Sequence, residues 1–539
     1  MRASKRFTKK GCAFERYGVT GRFDEEAGTL RHSGRPALLY NRREFLNGTA
    51  WMGAVAVAAG CNAPRFGFGC GGTMQGFRCA PLRRVRIGVA GLGGRGTSAM
   101  TRLAQIPGCV VTGICDVRPD RIADCQATLK KMNAPKAREY LGPEAYKAMC
   151  DADDVDVVYV ATGWQQHAII GLRAADSGKH TFVEVPSAMT LDDCWNFVET
   201  AERRRVHVMQ LENCCYGEAE LLCLNLVRQG KFGELVHGEA AYIHDLRGMN
   251  YADDPSLKNP DGSRRYSRGY WDHWRLKWNK DHGGNQYPTH GLGPVCQYMN
   301  INRGDRLDYL CSVDSKQANF EAYARDLWPE GDWHRELKVK MGDMTTSVIR
   351  TALGRTIMVQ HDVSSPRPYT RLNVITGTKG IFRGCYFADE TSGEDYDQSF
   401  QQGCGVRLAW ERERGKHIPG FFGLEETNRI RKEFRHPYWA AAGDVAQKIG
   451  GHGGMDFLMD LRWVYCLQNG LPMDMDVYDL ATWCSIAELS ETAFSRHRYV
   501  DVPDFTRGGW KTAEPLGIVT VDLGKMDFES GNAHGRRQV

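Results

Sequence analysis

The sequence predicts an α/β protein in two parts: a doubly wound parallel sheet, then a mainly antiparallel open sheet closing with C-terminal helices. Three observations carry this. Short β-branched runs alternate with helical patterns between Arg83 and Asn213, as crossover helices on a parallel sheet require. A glycine cluster separates the first run from the first helix. Beyond Asn213 strand-like runs continue without helical alternation, until two helical patterns return near the C-terminus. At 539 residues the chain is too long for one ordinary core.

The first strand is VRIGVA, residues 85 to 90. Gly91-Leu92-Gly93-Gly94-Arg95-Gly96 follows as G-x-G-x-x-G, and the amphipathic TSAMTRLAQI comes next. Strand before and helix after is the context of a dinucleotide-binding turn, in which glycines let backbone N–H groups approach a pyrophosphate. The next strand, CVVTGICD, ends at Asp116, twenty positions after Gly96. A carboxylate there accepts from ribose hydroxyls and repels a 2′-phosphate, so NAD is expected over NADP. Further strands are expected at 155–161, 180–185 and 206–212. Gly178 is expected to stop the helix QHAIIGLRAAD, and Thr190 with Asp193 to cap another. This is the Rossmann pattern, expected over 83–213.

In 214–539, the runs ELVHGEAAYIH, TTSVIRTAL, RTIMVQHDV and RLNVITGTKGIFRG are strand-like. MDFLMDLRWVYCLQNG and DVYDLATWCSIAELSETAF are helical, and the charged stretch 386–435 reads as long loops.

Residues 1–61 read as a signal region. Arg42-Arg43 with Phe45-Leu46, followed by the apolar stretch Ala50 to Ala59, resembles a twin-arginine (Tat) export signal. Ala58-Ala59-Gly60-Cys61 also resembles a lipoprotein processing site with Cys61 as the lipidated residue. The expected location is therefore periplasmic, or membrane-anchored as a lipoprotein; residues 62–82 read as a linker. A net charge of +5, unconcentrated in any folded segment, gives no case for nucleic-acid binding. The eighteen cysteines contain no CxxC pair and no zinc spacing, so no metal is expected and most read as small buried hydrophobes.

With GWQQHA after one strand and VEVP after the next, the chain resembles the Gfo/Idh/MocA oxidoreductase superfamily over roughly residues 83 to 500. GLGGRG, VEVPSA, ENCCYG, NQYPTHGLGP and GHGGMDF narrow the resemblance to glycoside hydrolase family 109, whose described activity is NAD-dependent α-N-acetylgalactosaminidase. Dehydrogenases of the superfamily carry Glu-Lys-Pro and an Asp four residues before a catalytic His. Here the stretch is Glu184-Val185-Pro186, and Gln286 lies four before His290. A simple dehydrogenase is therefore disfavoured.

The resemblance implies an NAD site of Gly91, Gly93, Gly94, Arg95, Gly96 and Asp116 on the adenosine and pyrophosphate side. Trp164, Gln165, Gln166, His167, Glu184, Val185 and Asn213 would line the nicotinamide half. For the sugar it implies Tyr242, Arg275, Tyr287, Pro288, Thr289, His290 and Tyr369, with His290 and Tyr242 catalytic. Histidine suits acid–base work because imidazole both accepts and returns a proton near neutrality. His452 reads equally as a site residue or a helix cap and stays outside the candidate set.

The function expected is an exported glycosidase acting on α-N-acetylgalactosaminides or related N-acetylhexosaminides by a redox-neutral NAD cycle. Two alternatives stand beside it: an exported sugar oxidoreductase with tightly bound NAD(P), and a non-catalytic NAD-containing sugar-binding protein. A homo-oligomer through the open face of the second sheet is expected by analogy with the superfamily.

Overall fold

A computed structural model describes residues 23–24, 29–30, 72–251, 269–384, 405–408 and 420–526. The chain divides into two units, Met1–Phe68 and Gly69–Val539. In the first, Phe23–Asp24 pairs antiparallel with Thr29–Leu30. Arg42, Arg43 and Cys61 lie outside the described residues.

In the second unit, six parallel strands form the first sheet: β1 Val85–Ala90, β2 Cys109–Asp116, β3 Arg138–Leu141, β4 Val157–Val160, β5 His180–Val183 and β6 Val208–Gln210. Their order is β3-β2-β1-β4-β5-β6, the doubly wound arrangement. The order reverses between β1 and β4, so a crevice opens at their C-terminal ends. Helix α1 (Gly94–Leu103) leaves β1, and α2 (Trp164–Asp176) leaves β4. Gly178 adopts φ +80° just beyond α2, and the Thr190 hydroxyl accepts from Asp193 N–H at the start of helix Leu191–Arg204.

The second sheet has eight strands: β7 Leu235–Ile243, β8 Leu307–Asp314, β9 Thr345–Thr351, β10 Thr356–Asp362, β11 Val374–Gly377, β12 Gly380–Arg383, β13 Gly405–Leu408 and β14 Val500–Asp501. Their order is β13-β12-β11-β7-β10-β9-β8-β14. Only β7 with β10 is parallel. Helix α3 (Thr289–Tyr298) lies against β7, where a Cβ on Gly291 would meet Ala241 N at 2.2 Å. That glycine allows helix and strand backbones to touch.

Several elements depart from expectation. Edge strand β3 carries no apolar run because three of its four side chains are exposed. Helical structure resumes immediately after Asn213 with α4 (Glu218–Arg228), buried on nearly all sides and so without an amphipathic period. The stretch read as loops contains β13 and a helix at Leu424–Glu433. Residues 72–82, read as a linker, dock on the folded unit: Met74 N–H donates to the Tyr478 hydroxyl (3.1 Å) and Leu82 N–H to Leu467 O (2.9 Å). Of the described cysteines all but Cys79 and Cys311 are buried. Among the described residues no helix is long and apolar enough to cross a membrane.

Candidate active site

The site begins at the β1–α1 turn. Gly91 adopts φ +86°, and a Cβ on Gly96 would fall 1.8 Å from Gly91 O, so the turn closes only with glycine at both ends. A Cβ on Gly93 or Gly94 would meet nothing within 4 Å, which leaves one face of the turn open at the α1 N-terminus. That is the geometry a pyrophosphate needs. The Asp116 carboxylate at the end of β2 accepts from Leu92 N–H (2.6 Å) and Arg118 N–H (2.9 Å), tying the turn to the place where an adenosine ribose would rest. These residues fit a dinucleotide.

The Arg95 guanidinium donates to Glu184 Oε1 and Asp456 Oδ2, each at 2.6 Å. Glu184 also accepts from the Tyr159 hydroxyl (2.7 Å), and Asn213 donates to Asp456 Oδ1 (2.5 Å). His167 is buried and bridges Pro186 O (2.8 Å) and Thr162 O (2.9 Å), bracing two strand ends. Gln165 and Gln166 are exposed, and Gln165 donates to Trp274 O (3.2 Å). Trp164 and Val185 are buried.

The second sheet and its helices bring the other candidates together. On the parallel pair β7–β10, Tyr242 is in register with His361, and their rings stack 6.4 Å apart. Tyr242 also packs on Tyr287 (4.5 Å), His290 (5.3 Å) and Tyr369 (6.1 Å). Helix α5 (Trp274–Asp281) carries Arg275, only 3% exposed. Its guanidinium lies within 4.5 Å of the Trp164 ring centre, 5.1 Å of Tyr287, 5.4 Å of Tyr270 and 5.9 Å of Tyr242. Nη1 donates to the Tyr270 hydroxyl (2.8 Å), while Nε and Nη2 are buried with no hydrogen-bond partner among the described residues. Buried donors left open in an aromatic cage call for an oxygen-bearing ligand. Pro288 and Thr289, both buried, start α3 and so set the position of His290.

Sequence reasoning missed the partner of His290. Glu212 follows β6 and caps a 3-10 turn, its Oε1 accepting Cys214 N–H at 3.0 Å. The same oxygen faces His290 Nδ1 at 2.8 Å. Burial is the largest influence on Glu212 and favours its neutral form. The His290 ring, the Thr289 side chain and the Cys214 N–H outweigh it and hold the carboxyl below its usual range. An ionised Glu212 can only accept, so Nδ1 carries a proton toward it and Nε2 is the nitrogen left facing Tyr287. The Tyr287 hydroxyl lies 3.3 Å from that Nε2 and can donate to it. The expected position for a carboxylate, four residues earlier, holds Gln286, which instead accepts from Trp278 Nε1 (2.8 Å). The pairing is three-dimensional, and only the strand-end position of Glu212 hinted at it.

Other groups unmarked by the sequence complete the surroundings. His244 Nδ1 meets the Tyr242 hydroxyl (3.1 Å); burial, with Arg275, His290 and His452 adding, drives it down to about 4. Burial similarly drives His361 to about 3. Both rings are therefore neutral at physiological pH. Cys214 lies with Glu212 and His290, their ligating atoms all within 4.8 Å of one another. The Arg371 guanidinium, 2.5 Å from that sulfur, opposes a cation there.

Residues 216–512 match the family described as Glycosyl hydrolase 109, C-terminal domain, and residues 85–211 match the Oxidoreductase family, NAD-binding Rossmann fold. A glycosyl hydrolase family 109 protein of Shewanella pealeana is 41% identical over 487 residues, covering 89% of this chain and 99% of its own. The chain belongs to glycosyl hydrolase family 109. Family 109 protein 1 of Bacteroides thetaiotaomicron is likewise 41% identical, over 80% of this chain and 87% of its own. The family 109 chain is thus a glycosyl hydrolase with an NAD-binding Rossmann domain. Its fold is shared with levoglucosan dehydrogenase in complex with NADH (TM-score 0.55, 17% identity, 78% of this chain and 100% of that one). It is also shared with the WlbA dehydrogenase from Bordetella pertussis in complex with NADH and UDP-GlcNAcA (TM-score 0.53, 14% identity, 79% and 100%).

Proposed function

We propose that the chain hydrolyses α-N-acetylgalactosaminides, or related N-acetylhexosaminides, by a redox-neutral cycle, and that it works outside the cytoplasm after Tat export. The observation that carries the sugar reading is Arg275, whose Nε and Nη2, without a hydrogen-bond partner among the described residues, lie in an aromatic cage beside the Glu212–His290–Tyr287 chain. Aromatic faces take the apolar side of a pyranose, and the guanidinium takes its hydroxyl or acetamido oxygens.

NAD, when bound, supplies a reversible hydride acceptor for C3 of the sugar. Asp116, the Gly91–Gly96 turn and Asn213 would hold it. With C3 oxidised the C2 proton is acidic, and His290 Nε2 removes it while Glu212 steadies the imidazolium through Nδ1. The electron pair left at C2 forms the C1–C2 double bond, and the group on C1 leaves. Water adds at C1 and His290 returns the proton to C2; the O3 proton released when C3 is oxidised, and taken back when C3 is reduced, would pass through the Tyr242 hydroxyl to His244 Nδ1, 3.1 Å away. Tyr287, 3.3 Å from Nε2, can relay the proton. Most glycosidases instead work with two carboxylates and leave C2 untouched.

Because the cofactor is restored in each turnover, no supply of free NAD is needed outside the cytoplasm. A route that carries folded proteins suits an enzyme that folds around its cofactor. The absence of a lysine at Val185 weighs against the sugar oxidoreductase.

Purified protein, given p-nitrophenyl N-acetyl-α-galactosaminide in D₂O without added cofactor, is expected to release a sugar carrying deuterium at C2. His290→Ala should lower turnover by about 10²–10⁴-fold while keeping its bound NAD. Hydrolysis with no deuterium at C2, undiminished in His290→Ala, would show the elimination cycle to be wrong.

A further inference from the structure

Two residues of the dinucleotide site, Arg95 and Asn213, give their side-chain N–H groups to one carboxylate from far along the chain. Asp456 accepts from Arg95 Nη1 (2.6 Å), Asn213 Nδ2 (2.5 Å) and His452 Nδ1 (2.9 Å), and Arg102 stands 3.6 Å away. Asp456 is buried, in the first turn of α6 (Met455–Asn469). His452 is its opposite: half of the imidazole, 51%, is open to solvent.

The turn presenting His452 is unusual. Gly450, Gly451, His452, Gly453 and Gly454 all have positive φ, at 91°, 89°, 47°, 68° and 102°. A Cβ on Gly451 would lie 2.6 Å from Asp456 Cβ, and one on Gly454 would lie 2.9 Å from Ala446 C, so the glycines let the turn wrap the carboxylate. A histidine in left-handed backbone persists only where its surroundings impose it, and such strain gathers at ligand clamps. Attaching α6 to α1 does not require this turn, because Arg102 Nε already donates to Asp460 Oδ2 at 2.8 Å.

We propose that Asp456 and His452 belong to the dinucleotide site, Asp456 fixing Arg95 and Asn213 in their binding positions and His452 forming the outer wall that retains the cofactor between turnovers. With His452 Nδ1 donating to Asp456, the outward Nε2 is left to accept from a ribose hydroxyl. Arg95 is held in place by Glu184 and Asp456. This rests on the NAD reading above.

The test measures the cofactor itself. Wild type, His452→Ala and Asp456→Asn are purified, checked by circular dichroism, denatured and assayed for released NAD. Exchange of bound NAD for radiolabelled NAD is timed on the native proteins. Both variants should exchange about tenfold faster or more, the equivalent of losing one hydrogen bond to a charged group. Should Asp456→Asn fail to fold, His452→Ala, altered at an exposed position, decides. Unchanged exchange in His452→Ala overturns the proposal, as does a raised KM for the glycoside with exchange unaltered. Wild type that carries no dinucleotide and binds none on addition overturns the NAD reading itself, and this one with it.

Discussion

At the scale of single residues, the chemistry turns on how Glu212 orients one imidazole. Its Oε1 accepts two N–H groups, from Cys214 and from His290 Nδ1, which holds a ring proton on Nδ1 and leaves Nε2 facing Tyr287. A neutral amide in its place could still accept a hydrogen bond but would no longer stabilise the positive ring that forms when C2 is deprotonated. Glu212→Gln is therefore expected to lower kcat by about 10²-fold or more, with bound NAD unchanged and Glu212→Asp recovering part of the loss; single-turnover kinetics and a cofactor assay measure both. An unchanged kcat would remove Glu212 from the proton path. The tyrosines around the site have a different burden: burial, the largest influence, pushes Tyr287 well above its ordinary range and Tyr242 likewise upward. They remain neutral donors at physiological pH, suited to hydrogen bonding and relay.

At the scale of elements, two glycines of one turn separate a folding requirement from a binding requirement. Adding a methyl at Gly96 drives it into Gly91 O, so Gly96→Ala must open the β1–α1 turn. The expected result is a loss of about 1–3 kcal/mol in stability, seen in denaturant titration, together with loss of NAD. At Gly93 the φ of −66° suits any residue, and the added methyl meets nothing. Gly93→Ala should fold with wild-type stability yet bind NAD more weakly, because the methyl occupies the open face. Wild-type NAD content in Gly93→Ala would argue against a pyrophosphate on this turn. Gly291 does comparable work elsewhere, bringing α3 onto β7 and thereby His290 beside Tyr242.

At the scale of the whole molecule, one buried acid imposes a pH slope on stability. Glu220 on α4 is 1% exposed, and neither oxygen has a hydrogen-bond partner among the described residues. Arg371 stands 3.7 Å from it, too far to offset burial, which drives the carboxyl up to about 7 from 4.5. The folded state thus binds the proton more tightly than the unfolded state. Between roughly pH 4.5 and 7 stability falls as pH rises, by roughly 3 kcal/mol in all, and above that window the loss is complete. Urea titrations of wild type at pH 5 and pH 8 should show this slope, and Glu220→Gln a shallower one, the remainder coming from Asp460 and Asp476, which burial also raises, to about 6 and about 7. Identical slopes in the two proteins would mean that Glu220 is ionised in both states.

Local sequence determined the order of strands and helices around the dinucleotide turn. Strand period, the glycine fingerprint and capping residues act over a few positions, and β1, β2, α1 and α2 follow from them. The family motifs named Arg275, Tyr242, Tyr287 and His290, which the fold brings together, but not Tyr270 or the place of Trp164 against Arg275. Signals vanished where an element is buried on all sides, as α4 is, or lies at a polar edge, as β3 does, because neither leaves a period to read. Tertiary structure alone decided which carboxylate serves which partner. Glu212 reaches His290 across 78 positions, and Asp456 reaches Arg95 across 361. Such pairs form when sheet, helix and turn converge at one crevice, and ion-pair geometry in space leaves no spacing rule along the chain.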